Sequence, residues 1–328
     1  MRAVIITRPG GPDVLELRDV PPPTPDSTEV LVRVRASALN RADLLQREGR
    51  YPPPPDAPAD IPGIEFAGEV DAVGARVQLW RPGQRVYGIA GGGAHAELLV
   101  AHERAVAEVP AGLEWVEAGA VPEAFITAHD ALVTQASVRP GERVLVHAAG
   151  SGVGLAAIQL VRALGAIPFG TARTADKVER AREYGLEDGA ALPDGVDPLA
   201  QHVQRWTGGR GVDVVLDLVG GPYVEPSVAA LAPRGRLVLI GTVAGRTASL
   251  PLHLALSRRL TIRGTVLRAR PLEEKIAATR LFAAEVGPLL ARRAVRPVLD
   301  SHFPLAEVRA AHERLESNAT FGKVGLAL

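Results

Sequence analysis

The chain of 328 residues has no cysteine, one methionine and only three lysines, Lys177, Lys275 and Lys323. Without cysteine there is no disulfide framework, no thiolate zinc site, no iron–sulfur ligation and no cysteine nucleophile. Net charge is missing too: 37 basic residues balance 37 acidic ones. A dedicated nucleic-acid binder normally carries a basic surplus. Aromatic residues make up 4%, and no aromatic-rich basic patch suggests RNA capture. No stretch approaches the roughly 18 uninterrupted apolar residues of a membrane span. The opening MRAVIITRPGG is too short and interrupted for a signal peptide. A cytoplasmic protein with no membrane and no nucleic-acid partner is expected.

What is present suits a globular chain: 47% of residues are apolar and 23% charged. At roughly 100–200 residues per domain, the length implies two domains. Residues 1–62 hold 12 of the 27 prolines, with runs at 21–23 and 52–55. Proline resists element interiors, so short strands between long loops are predicted. Residues 29–36 alternate with period two, and 64–73 and 84–89 are further strand candidates bounded by turn residues. The first 120 or so residues read as a β-rich barrel or sandwich.

The texture changes after Pro122. Apolar strands are predicted at 143–148, 166–172, 212–219, 235–241 and 260–267. Helices are predicted at 153–164, 174–184 and near 197–206. This alternation indicates a doubly wound parallel sheet covered on both faces, an α/β architecture. The tail reads as a long helix (271–292), an irregular run (295–303), a helix (305–317) and a last strand (323–328).

The chemistry concentrates in residues 141–162, GERVLVHAAGSGVGLAAIQLVR. A buried strand meets a small-residue turn, Ala149, Gly150, Ser151, Gly152, Val153 and Gly154, which opens a helix. Small residues let backbone N–H groups approach a pyrophosphate, and the helix N-terminus stabilises it. Ala149 and Ser151 occupy the first two glycine positions of G-x-G-x-x-G, so the motif rests on its strand–turn–helix context. No G-x-x-x-x-G-K-[ST] occurs, and Ser151 lacks the flanking glycines of a nucleophile elbow. An NAD site places a carboxylate near the end of the second strand. Here that position offers Arg173 and Thr174, with Lys177 one helical turn on, a set that suits the 2′-phosphate of NADPH.

These residues resemble a known family. The turn segment is similar to that of the zeta-crystallin-like quinone oxidoreductases, in the zinc-independent branch of the medium-chain dehydrogenase/reductases. The resemblance extends through Ala38, Leu39, Asn40, Arg41, Ala42 and Asp43, with Arg47, Gly49, Tyr51 and Pro52. It continues through Gly63, Ile64 and Glu65 with Gly68 and Gly74, through Pro122, Glu123, Thr127 and Ala128, and through Gly322 and Lys323. NRADLLQREGRYPPPP, with Leu267, Arg268, Ala269 and Arg270, looks closest to the stress-inducible, tumour-suppressor-regulated subgroup. The resemblance implies a GroES-like substrate domain from residues 1–122 and 269–328, with a Rossmann domain from 123–268 inserted. It implies NADPH in an interdomain cleft and hydride transfer to a quinone or similar conjugated carbonyl. Zinc-dependent relatives would need cysteine at Asn40, histidine at Ile64 and a four-cysteine loop where Gly91, Gly92, Gly93, Ala94 and His95 stand, so no metal is expected. Ser151 replaces a common glycine, and Leu192 stands where many relatives carry a tyrosine near the adenosine phosphate.

On this reading Asn40 and Tyr51 contact the substrate oxygens, Asp43 orders their loop, and Phe125 walls the nicotinamide pocket. Gly241 and Leu267 border the nicotinamide, Thr127 meets its ribose or phosphate, and Gly322 and Lys323 reach the cofactor. Plainer readings stand beside these. Asn40 and Asp43 also fit a helix cap, and Tyr51 fits packing on the prolines. Glu65 fits a structural ion pair with an arginine. His147 fits a satisfied core residue, and His95 and His129 are weak candidates for the cleft. Activated-alkene or enoyl-thioester reduction on the same scaffold, and cofactor binding with vestigial catalysis, remain open. Strand 260–267 at a sheet edge implies a homodimer.

Overall fold

The computed structural model describes residues 1–328 except Asp194 and Asp197. Two compact units form, Met1–Ile126 with Leu267–Leu328, and Thr127–Val266.

The first unit contains β1 (Arg2–Ile6), β2 (Leu15–Asp19), β3 (Glu29–Leu39), β4 (Glu65–Val73), β5 (Arg85–Ile89), β6 (Leu98–His102) and β7 (Val106–Glu108). The second contains β8 (Arg143–Val146), β9 (Ile167–Ala172), β10 (Asp188–Ala191), β11 (Val212–Asp217), β12 (Leu231–Leu239) and β13 (Thr261–Gly264). The chain then returns to the first unit with β14 (Leu299–Pro304) and β15 (Lys323–Ala327).

In the first unit, β3 alternates over its first eight residues as their sequence predicted, while β4 is buried along its first half. Val30, Val32 and Val34 pack with Phe66, Val70 and Val86, while Arg33 and Arg35 turn outward to Asp71 and Glu69 at 2.7 Å. The sheet runs β14-β15-β3-β4-β5-β7, with β6 also on β3 and β1-β2 as a separate pair. The last strand therefore lies against the residues that lead to Asn40: Val324 is opposite Leu39.

The second unit is a parallel sheet in the order β10-β9-β8-β11-β12-β13. This is the doubly wound Rossmann order, with its switch point between β8 and β11. Leu145, Phe169, Val215 and Leu237, one from each of four adjacent strands, share one core. No helix among the described residues is long and apolar enough to cross a membrane.

Three local expectations need correction. The 295–303 run is not irregular: it contains β14, paired in parallel with β15. Its polar, half-exposed sequence ending at Pro304 has the look of an edge strand, which hides the apolar alternation. The tail helix is two helices, Leu272–Glu285 and Gly287–Ala291, broken where Pro288 cannot continue the ladder. Strand β12 starts at Leu231 rather than Gly235, through an irregular register carrying Arg234 at φ +65°. The expected helix near 197–206 is seen as Leu199–Thr207, and Asp197 lies outside the described residues.

Candidate functional site

In the second unit the carboxyl ends of the strands carry the small-residue turn. After β8, Ala148 takes φ +51°, and the Ala149 amide donates to the Thr171 carbonyl at 2.8 Å. Ser151 caps the helix Gly152–Ala163, its Oγ accepting from the Gly154 amide at 3.0 Å. Serine suits this position because its hydroxyl caps the helix. A Cβ on Gly154 would lie 2.4 Å from the Ala148 carbonyl oxygen, so only glycine lets helix and strand approach. The first-turn amides of Gly152 and Val153 have no intrahelical acceptors by helix geometry, which makes this end an anion cradle.

Beside it, Thr174 caps the helix Ala175–Arg182, Oγ1 accepting from the Lys177 amide at 3.4 Å. Arg173 and Thr174 are exposed and Lys177 half-buried. The nearby carboxylate of Asp176 lies 3.6 Å from Arg180. Gly241 follows β12 at the same end, where a Cβ would meet the Leu218 carbonyl oxygen at 2.4 Å. The cradle fits a phosphorylated dinucleotide: close backbone approach, a helix N-terminus, and cations where an NAD site would place a carboxylate. Leu192 is a core residue, packed with Val196, Leu199 and Val203.

Two residues of this end escaped the sequence reading. Asp217 closes β11 fully buried; its Oδ1 accepts from Val219 N and Gly220 N at 2.8 Å, while Oδ2 has no hydrogen-bond partner among the described residues. Tyr223 stacks edge-on against His147 at 5.0 Å. Burial pushes its hydroxyl up, partly offset by the Arg173 guanidinium. The glycine pair after Asp217 was the available signal for a strand-end turn; nothing in the sequence marks Tyr223. His147 is the satisfied core histidine expected, 2.8 Å from both Thr171 Oγ1 and Ser227 Oγ. Ser227 donates to the Tyr223 carbonyl, so His147 Nε2–H donates to Ser227. Burial lowers the His147 pKa to about 4, with Asp217 opposing.

In the first unit, buried Glu65 and Lys323 form one cluster with half-buried Asn40. The Lys323 ammonium donates to Glu65 Oε1 and Asn40 Oδ1 at 2.5 Å and to the Leu39 carbonyl at 3.0 Å. Asn40 Nδ2 donates to Glu65 Oε1 at 2.8 Å, and the Glu123 amide to Glu65 Oε2 at 2.9 Å. Burial pushes the Glu65 carboxyl up, opposed by Lys323, Asn40 and the Glu123 amide. The expected ion pair of Glu65 is therefore present, but with lysine rather than arginine. Register explains the difference: β15 brings Lys323 alongside the end of β3. Asp43 accepts from the Asn40 amide at 2.7 Å and from the Gly63 amide at 3.0 Å, capping the helix Arg41–Arg47 and tying its start to the loop before β4.

Tyr51 lies with its ring 5.0 Å from the Arg268 guanidinium, and its hydroxyl has no hydrogen-bond partner among the described residues. Burial pushes that hydroxyl up, opposed by Arg268 and reinforced by Glu123. Arg268 donates to the Gly91 carbonyl at 2.7 Å and to Gln46 at 2.5 Å. Phe125 is 1% exposed and Leu267 7%, both packed into the fold. Thr127 is buried. Gly322, at φ +96°, lies where a Cβ would meet the Val298 carbonyl oxygen at 2.3 Å. His95 and His129 are buried, and His95 is wholly inaccessible. The structure thus brings Asn40, Asp43 and Lys323 together, gathers the turn with Arg173, Thr174, Lys177 and Gly241, and leaves Phe125 in a core.

Known proteins share this arrangement. Residues 26–111 match the alcohol dehydrogenase GroES-like domain and 152–284 the zinc-binding dehydrogenase family. The Pseudomonas aeruginosa quinone oxidoreductase is 36% identical over 97% of this chain and 96% of its own. The chain belongs to the zinc-independent quinone oxidoreductase family. The human quinone oxidoreductase is 32% identical over 100% of this chain and 98% of its own. An Escherichia coli quinone oxidoreductase solved with NADPH superposes with a TM-score of 0.89 at 29% identity, covering both chains fully. Among the described residues no group of three or more His, Cys, Asp or Glu could hold a metal. Asn40 is tied to Lys323, and Ile64 is buried.

Proposed function

We propose that the protein reduces quinones, or similar conjugated carbonyls, with NADPH and without zinc. The observation that carries this reading is the Lys323–Glu65–Asn40 cluster, in which Asn40, where a zinc-dependent relative would need cysteine, is tied into an internal lysine–glutamate ion pair. A site built this way offers no Lewis acid to an unactivated carbonyl. A quinone needs none, because its reduced oxyanion is delocalised. NADPH supplies the hydride. The chain's own groups then bind and orient: the turn Ala149, Gly150, Ser151, Gly152, Val153 and Gly154 holds the pyrophosphate, and Arg173, Thr174 and Lys177 hold the 2′-phosphate. Gly241, Thr127 and Leu267 border the nicotinamide end. Tyr51, with its free hydroxyl, is the donor for a substrate oxygen. Asn40 and Asp43 set its loop, since their polar atoms are held within the fold. Residues 1–122 and 269–328 carry substrate recognition and 123–268 the cofactor.

A homodimer is part of the proposal. Strand β13 is a mostly exposed sheet edge, and Leu252, Leu256 and Val266 near it are 64%, 78% and 52% exposed. Pairing two such edges would cover them. A monomeric mass by light scattering at micromolar protein would remove it.

The functional test is steady-state turnover of 1,4-naphthoquinone with NADPH and NADH, with a crotonyl thioester as competing substrate. NADPH preference and quinone turnover are expected. Arg173→Ala should raise the NADPH KM about tenfold, roughly 1.4 kcal/mol, and leave that for NADH unchanged. A thioester turned over faster than any quinone would replace the proposed substrate class, and an NADH preference would refute the role of Arg173.

A further inference from the structure

The second unit has a cavity that the cofactor cradle does not use. It is an open cleft with room for about 710 Å³, within the roughly 300–1,000 Å³ typical of small-molecule sites. Its lining includes Arg143, Ile167 and Asp188, the first residues of β8, β9 and β10. These strands are parallel, so the cavity lies at their amino ends and the small-residue turn at their carboxyl ends. Strand β8 alone sets about 10 Å between the two.

The lining has a defined polarity. Both carboxylates are already paired outward: Glu187 with Arg162 at 2.5 Å and Asp188 with Arg182 at 2.9 Å. The cations are not. Arg143 and Arg205 have no carboxylate partner among the described residues, and Arg205 donates only to His202 Nδ1. That bond places the imidazole proton on Nε2, a further donor. One wall is flat. Trp206 stacks on Phe169 at 5.4 Å and 5°, and His202 lies 5.6 Å from the same indole, tilted by 30°.

We infer that this cavity is a second ligand site for a small planar aromatic carboxylate, its ring against the Trp206 and His202 wall and its charge held by Arg143 and Arg205. Guanidinium suits a carboxylate because its donors match both oxygens. A monoanion fits better than a phosphate dianion, which would also face Glu187 and Asp188. Because the site lies at the opposite strand ends from the turn, its ligand binds together with NADPH and does not compete with quinone.

The test is calorimetric titration of the NADPH-saturated protein with 2-naphthoate. Saturable binding is expected, with the dissociation constant raised at least tenfold in Arg143→Gln/Arg205→Gln and in Trp206→Leu. Quinone turnover should be unchanged in the arginine variant, which also reports that it is folded. Absence of binding up to millimolar naphthoate overturns the inference. So does binding unaffected by the substitutions, or binding displaced by NADPH or by quinone. These outcomes leave the quinone reductase reading untouched, since that reading is tested by turnover alone.

Discussion

The two units build their sites from different material. The second unit uses backbone: a turn, two helix N-termini and glycines placed where a Cβ would collide. The first uses side chains: Asn40, Glu65 and Lys323, drawn from residues 25 and 283 apart in sequence. A backbone site is short in sequence and tolerant in side chain, which is how Ser151 and Ala149 stand in for glycine. A side-chain site is spread along the chain, and each of its members depends on the others for charge and hydrogen bonds.

The sharpest way to break this contrast is to remove one partner of the buried pair. Lys323→Met leaves Glu65 uncompensated and should cost about 3–5 kcal/mol, read by denaturant unfolding. Lys323→Met/Glu65→Gln should recover a large part of it, and failure to recover would show that the cluster is not a charge pair. A second effect of burial lies in the other unit, at His147. Its pKa falls to about 4 in the fold, against about 6.5 unfolded. A depressed pKa contributes stability that is full above about pH 6.5 and is lost as pH falls toward 4, about 3 kcal/mol for this group. Buried His95 and His312 are displaced the same way. His147→Leu should lower stability at neutral pH by stranding Thr171 and Ser227, and flatten the acid slope; an unchanged slope would remove the assignment.

The backbone site should respond more gently in stability and more strongly in binding. Gly154→Ala is expected to cost about 1–3 kcal/mol from the collision with Ala148 and to raise the NADPH dissociation constant at least tenfold, measured by fluorescence titration. The smallest effect is a gain. Ala148→Gly relieves an alanine at φ +51° and should add about 0.5–1 kcal/mol; a loss would mean the strain is not there.

Legibility followed the same division. The parallel strands were readable because strands buried on both faces are continuous apolar runs, and the turn because it sits between one such run and a helix. Strand β14 was not, since an edge strand can be polar on both sides. The break at Pro288 was readable in principle, but the apolar spacing around it was continuous enough to suggest one helix. In the first unit Asn40 and Asp43 were legible as a cap, while the partner of Glu65 was not: arginine is the common cation here, and only the pairing of β15 with β3 brings one of three lysines to it.

Sequence alone determined the α/β order, the small-residue turn between strand and helix and the lack of cysteine, because each is written in neighbouring residues or in a residue type that is missing. Tertiary structure decided that Lys323 pairs with Glu65 and Asn40, which polar groups are already engaged, and that a donor-rich cleft opens at the opposite ends of the strands. Those properties come from which distant residues a sheet register places within hydrogen-bond reach, and no local pattern encodes that.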